Sequence, residues 1–309
     1  MEPPSKKECP PFMIIAGSTL GTPDRDLAEA LRLFRTAGLD AADVIYQDDY
    51  PAAIRPSDKK SAQQAAAIAA AEGIPIVGLI PYTTAINSLD VTSWQKGIDE
   101  FRGCLDAAHN VGATRVRVYA GAWQPESTNH AAHWEQLRTA LSLLAPEAAN
   151  AGVVLCVENH FGTMTQTAAD TARLVREVNS PAVRVLYDQA NLTFTHDEDW
   201  QEAFALQGDL VGHVHVKDLV FKDPDAPFRD SDTARVKAEE RAVKSRVVGT
   251  GVVPWPDIIG ELVRRGYDDV LTLEYEYRWH PQDLPDPAIG FRDSAAAIRS
   301  ILMKVVSIP

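Results

Sequence analysis

The tightest constraint on this chain is a rhythm. Short apolar runs at 12–16, 42–46, 76–80, 115–119, 153–157, 183–187, 211–216 and 270–273 alternate with helical stretches. The helices are expected at 26–37, 57–72, 91–111, 133–150, 167–178, 200–206, 254–265 and 286–305, with Ser93 as a candidate cap. In the first of them Leu27, Ala30, Leu31 and Phe34 share one stripe, and Gly38 stops it. Strands that each return through a helix pair in parallel, and eight such units in one chain close into a (β/α)8 barrel of the α/β class. A doubly wound open sheet would need a glycine-rich phosphate turn after the first strand, and Gly17-Ser-Thr-Leu-Gly21 is not one. No linker divides the chain, so 1–309 is expected to form a single domain. The one irregular stretch, 219–248, is rich in Asp, Arg and Lys and follows the seventh strand. It is expected to be a mobile loop over the active-site mouth, with 232–244 able to hold a helix.

Composition narrows the partners. Of 309 residues, 45% are hydrophobic, ample for a core, and the formal net charge is -13. That balance argues against binding a nucleic acid backbone, which needs clustered Lys and Arg. Cys9, Cys104 and Cys156 make no paired pattern and read as reduced thiols of a cytoplasmic protein. The apolar run at 12–16 is too short for a signal or a membrane span, so no membrane partner is expected.

The chemistry concentrates at 211–218, Val-Gly-His-Val-His-Val-Lys-Asp. Valines alternate with His213, His215 and Lys217, so one face of this strand is polar. Two imidazoles and an ammonium on a barrel strand are expensive to bury without partners. Carboxylates stand at the ends of three other strands: Glu158, Asp188 and Glu274. Barrel enzymes work at these C-terminal strand ends. With His215 the three carboxylates form a hard site suited to one divalent ion, Mn²⁺, Mg²⁺, Co²⁺ or Zn²⁺. Glu158 and Glu274 lie on non-adjacent strands and can flank a bound substrate, each able to take or return a proton. Around them, His160 and Lys217 are candidate substrate contacts, with an ion pair the favoured account of Lys217. Trp123 and Trp279 are candidates to stack on a sugar face, and Arg246 to meet an anionic group. His213 falls one layer deeper and reads as support for His215.

The motifs Val157-Glu-Asn-His160, Tyr187-Asp-Gln-Ala-Asn191, His213-Val-His-Val-Lys-Asp218, Gly249-Thr-Gly251 and Leu273-Glu-Tyr-Glu276 resemble those of xylose isomerase-like TIM barrels. More narrowly, they resemble the sugar phosphate isomerase/epimerase group that includes tagatose 3-epimerase, hydroxypyruvate isomerase and inosose dehydratase. The resemblance implies that Glu158, Asp188, His215 and Glu274 bind the metal, and that Glu158 and Glu274 also move the protons. It places Asn191 beside the substrate, where members often have His, and Tyr119 where a His is frequent. The multi-zinc endonuclease relatives need further histidines on strands two and three, and 41–49 and 74–82 contain none. The implied activity is isomerisation or epimerisation of a keto sugar or related polyol. A dehydratase of the inosose or dehydroshikimate kind is the alternative, and a non-catalytic sugar-binding barrel a lesser one. The implied partner is a small-molecule sugar or polyol, and a homo-oligomer is compatible with the sequence.

Overall fold

The computed structural model describes residues 13–196, 198–223, 225 and 241–306. Eight parallel strands form the barrel, β1 (Ile14–Ser18), β2 (Ala41–Tyr46), β3 (Ile76–Pro81), β4 (Arg115–Val118), β5 (Val154–Glu158), β6 (Val183–Tyr187), β7 (Val211–Val216) and β8 (Val270–Leu273), and a two-residue strand at Ala53–Ile54 adds to the sheet beside β2. The sheet closes on itself, because β1 pairs with β2 through Ala16 and Ala41 and with β8 through Ile14 and Val270. The chain is therefore a (β/α)8 barrel, as its rhythm implies. The helices are α1 (Leu27–Thr36), α2 (Ser61–Glu72), α3 (Val91–Val111), α4 (His130–Ala151), α5 (Ala168–Val178), α6 (Gln189–His196), α7 (Trp200–Gln207), α8 (Trp255–Arg264) and α9 (Pro287–Val306). None of the described helices is long and apolar enough to cross a membrane.

Strand alternation divides the side chains between two environments. Val214 and Val216 are buried in the apolar layer under the helices, with Trp255, Phe34, Phe101 and Phe291. The other face of each strand lines the interior of the barrel. Toward the C-terminal ends that interior is polar: Asp43, Arg117, Glu158, His213, His215 and Thr272 are all buried. Gly78 on β3 makes room there, since a Cβ at that position would come within 2.4 Å of Asp43 Oδ1.

The sequence reading needs four corrections. The cap of α3 is Asp90, whose carboxylate accepts the Ser93 N–H at 2.8 Å. Helix α2 starts at Ser61 rather than 57, because Ser57 is held by Asp48 through its N–H at 3.0 Å and its hydroxyl at 2.6 Å. Helix α6, between β6 and α7, lacks an apolar stripe and was not expected; it begins next to Asp188, whose Oδ1 accepts the Asn191 N–H at 3.0 Å. Finally, 219–248 is not irregular at its ends. Asp218–Phe221 and Val243–Arg246 pair as an antiparallel ribbon, with Phe221 opposite Val243. Asp218 anchors that ribbon by accepting N–H groups from Leu219, Gly249, Gly251 and Val253. This explains the Gly249-Thr-Gly251 motif, since a Cβ at position 251 would meet Asp218 Oδ1 at 2.1 Å. The Arg241–Asp283 ion pair at 2.8 Å ties the ribbon to the segment after β8, at the C-terminal end of the barrel. Most of the expected lid, 224 and 226–240, lies outside the described residues.

Candidate metal centre

Four of the expected residues converge. Ligand atoms of Glu158, Asp188, His215 and Glu274 all lie within 4.8 Å of one another, and all four residues are buried. They come from the ends of β5, β6, β7 and β8, so neighbouring strands supply one contiguous cluster. His215 Nδ1 is 3.3 Å from Glu158 Oε1 and 3.4 Å from Glu274 Oε1. Lys217 reaches into the same cluster, with Nζ 2.7 Å from Glu274 Oε2, 3.0 Å from Asp188 Oδ2 and 3.5 Å from Glu276 Oε1. The ion-pair reading of Lys217 matches this geometry.

Arg117 is the residue that the sequence reading missed. Its side chain points inward from β4 and is buried. Its Nε donates to Glu158 Oε2 at 2.6 Å, and Nη2 is 2.5 Å from the same oxygen. The guanidinium is stacked between the rings of Tyr82 and Tyr119, 5.1 and 4.7 Å from their centroids. The alternation Arg115-Val-Arg-Val118 carried the signal, because it places both arginines on the inner face. Asp43 was missed as well. It accepts from Thr272 Oγ1 at 2.8 Å and pairs with His213 Nε2 at 2.8 Å, so His213 sits one layer below His215 as expected. A buried Asp inside an apolar strand run was the available signal.

The cluster splits the behaviour of its carboxyls. Burial alone would raise Glu158, but Arg117 outweighs it and holds the carboxyl down at about 2. Burial likewise opposes ionisation of Glu274, and Lys217 with His215 overcomes it, leaving Glu274 well below the usual carboxylate range. Asp188 goes the other way: burial, together with the charges of Glu274 and Glu158, pushes it up to about 7 despite Lys217. His215 would be lowered by burial, but Glu274 and Glu158 carry it up to about 10. Within the cluster, Arg117, Lys217 and His215 thus offset the carboxylates. His160 shows the plain effect of burial, which lowers it to about 4 and keeps it neutral.

The other expected contacts have the following surroundings. His160 Nδ1 lies 2.6 Å from the Phe161 carbonyl, and its ring packs on Tyr119. Asn191 is buried and donates to the Asn159 carbonyl at 3.0 Å, while its N–H bonds Asp188, so it braces a cluster residue. Trp123 lies beyond the end of β4. Its ring packs on His130 at 4.2 Å and lines an outer cavity of about 970 Å³ with Trp134 and Arg173. Arg246 lies on the ribbon and donates to the Ser245 carbonyl at 3.0 Å. Trp279 is half exposed and stacks on Arg278.

Comparison with known proteins agrees with this architecture. The sequence profile of a family described as "Xylose isomerase-like TIM barrel" matches residues 31–301. Among curated proteins, an inosose dehydratase from Lacticaseibacillus casei is 30% identical over 145 residues, covering 46% of this chain and 47% of that protein. The chain thus matches about half the length of such relatives. Among solved structures, a 3-keto-D-glucoside 4-epimerase from E. coli superposes with a TM-score of 0.70 at 19% identity, over 93% of this chain and 99% of that one. A xylose isomerase-like TIM barrel protein from Mycobacterium smegmatis, solved in complex with magnesium, gives a TM-score of 0.73 at 20% identity, over 96% and 98%.

Proposed function

This chain belongs to the xylose isomerase-like TIM barrel family, and from that premise we propose that it is a divalent-metal-dependent isomerase or epimerase of a keto sugar or related polyol. The observation that carries the proposal is the buried quartet of Glu158, Asp188, His215 and Glu274. One imidazole and three carboxylates are the donor set of a hard divalent ion such as Mn²⁺, Mg²⁺, Co²⁺ or Zn²⁺. Bound there, the ion would act as a Lewis acid toward a substrate carbonyl.

The residues of the chain supply the rest. Glu158 and Glu274 stand on β5 and β8, with two strands between them, and can address a bound sugar from two sides. Arg117 keeps the first ionised and Lys217 the second, so each is ready to take a proton from the carbon beside the carbonyl. The neutral imidazole of His160 is suited to a substrate hydroxyl. The burial of the quartet keeps bulk water away from the carbanion-like charge that develops.

The dehydratase reading uses the same proton abstraction, followed by loss of hydroxide. The inosose dehydratases among the relatives favour keeping it as the second reading. One experiment separates them: ketoses, inososes and hydroxypyruvate are incubated with the Mn²⁺-loaded protein in D₂O. Deuterium should enter the carbon next to the carbonyl of one compound. A product of unchanged mass apart from deuterium marks an isomerase or epimerase, and one lighter by a water marks a dehydratase. No deuterium in any of them would count against both.

A further inference from the structure

We propose that Arg278 is an anion-binding residue of this site, and that the substrate carries a carboxylate or phosphate at the end remote from the metal quartet. This inference deepens the functional reading above and rests on it.

Arg278 closes the short turn Glu276–Arg278 that follows β8. Its guanidinium carbon is 4.6 Å from the ring centroid of Tyr50, 4.4 Å from that of Trp279 and 5.9 Å from that of Tyr82. Gln47, immediately after β2, accepts from Nη1 at 3.3 Å. No carboxylate pairs with Arg278 among the described residues. Arg278 is half-buried beyond the end of β8, so its charge is left open to a ligand at the mouth. Aromatic rings cover the faces of the guanidinium and strip them of water, while the N–H groups along its edges keep their directional donors. A fork of that kind matches the paired oxygens of a carboxylate or phosphate.

Its position fixes which part of the substrate it would meet. Tyr82, the first residue after β3, meets two guanidiniums: Arg117, bonded to Glu158, is 5.1 Å from its ring centroid and Arg278 is 5.9 Å from it. Arg278 therefore stands one aromatic ring away from the arginine that touches the quartet. That is a separation suited to the far end of a small sugar acid or sugar phosphate. Burial pushes the Tyr82 phenol up to about 12, so it stays a hydrogen-bond donor between them. Two cations facing one ring repel each other, and a bound anion relieves that repulsion. Arg246, the anion contact expected from sequence, donates to the carbonyl of its neighbour Ser245.

The test is calorimetric titration of the Mn²⁺-loaded protein with D-fructose, D-fructose 6-phosphate and 2-keto-D-gluconate. At least one anionic compound should bind roughly 10- to 100-fold more tightly than D-fructose, the range of a charge-assisted pair. The two anionic arms tell phosphate from carboxylate. In Arg278→Met the advantage should vanish with D-fructose affinity unchanged, and Arg278→Lys should keep part of it. No anionic preference in the wild type, a preference that survives in Arg278→Met, or an equal loss for neutral and anionic compounds would each overturn the assignment. Mn²⁺ binding without anion preference sinks Arg278 alone. Absence of Mn²⁺ binding sinks the metal reading instead, and the anion titration still reads Arg278.

Discussion

Replacing Glu274 with Gln is expected to lower turnover by about three orders of magnitude while the divalent ion stays bound. Gln keeps the size and one ligating oxygen but cannot accept the proton, and a positioned acid–base group is worth ~10²–10⁴ in rate. Lys217 retains Asp188 and Glu276 as partners in this variant, so the fold should hold. Glu158→Gln should show a similar loss of rate, but it also removes the counter-ion of Arg117 and should cost stability. If the glutamates serve opposite faces of the substrate, deuterium exchange will tell them apart. One variant would still exchange a proton without completing turnover, and the other would do neither. His215→Ala should differ from both, because it fails through weakened metal binding, and excess Mn²⁺ should restore part of its activity. Near wild-type rates for both Gln variants with metal bound would remove the two-carboxylate mechanism and make Lys217 or His160 the leading base.

The second large effect concerns stability. Arg117→Met leaves the fully buried Glu158 without its cation, and breaking one side of a buried pair costs about 3–5 kcal/mol. The pH dependence has a definite sign. Arg117 holds the folded-state Glu158 carboxyl at about 2, below its unfolded value. The stabilisation is therefore present above the unfolded pKa, roughly 4.3, and is lost as pH falls from there through about 2. The penalty of the variant should be largest near pH 7 and should shrink on acidification as Glu158 protonates. Denaturant unfolding at pH 7 and near pH 2.5 measures both points. A difference that does not change between those pH values would mean that the pair contributes through packing alone.

Much of the barrel was legible because its evidence is periodic. Most strands are apolar runs, the last four ended by a charge, and glycine stops several helices; at Gly112 and Gly152 the backbone adopts φ of 78° and 71°, which favours that residue. The quartet was legible because Glu158, Asp188, His215 and Glu274 each sit at a strand end, where chain order alone predicts convergence. What stayed hidden depends on contacts between distant strands. Arg117 and Asp43 lie on the earlier half of the barrel, and their roles follow from Glu158 and His213, 41 and 170 residues further along. Asn191 sits where a substrate ligand was expected, but the start of α6 turns its amide onto Asn159. Trp123 was expected beside the mouth, and its packing on His130 at 4.2 Å depends on where the loop after β4 runs. Local sequence shows which face a side chain takes on a strand, not which way a loop then turns.

The most direct measurement is a Mn²⁺ titration of the wild type and His215→Ala at pH 6 and pH 8, with proton release followed in weak buffer. The metal needs deprotonated ligands, while burial and neighbouring carboxylates hold Asp188 at about 7 and the carboxylates carry His215 to about 10. Binding should therefore release protons, and affinity should rise with pH by about tenfold per unit or more across that window. The account predicts one ion per chain in the wild type, tighter at pH 8 than at pH 6, and markedly weaker in His215→Ala. No bound ion, or an affinity indifferent to both pH and His215, would contradict it.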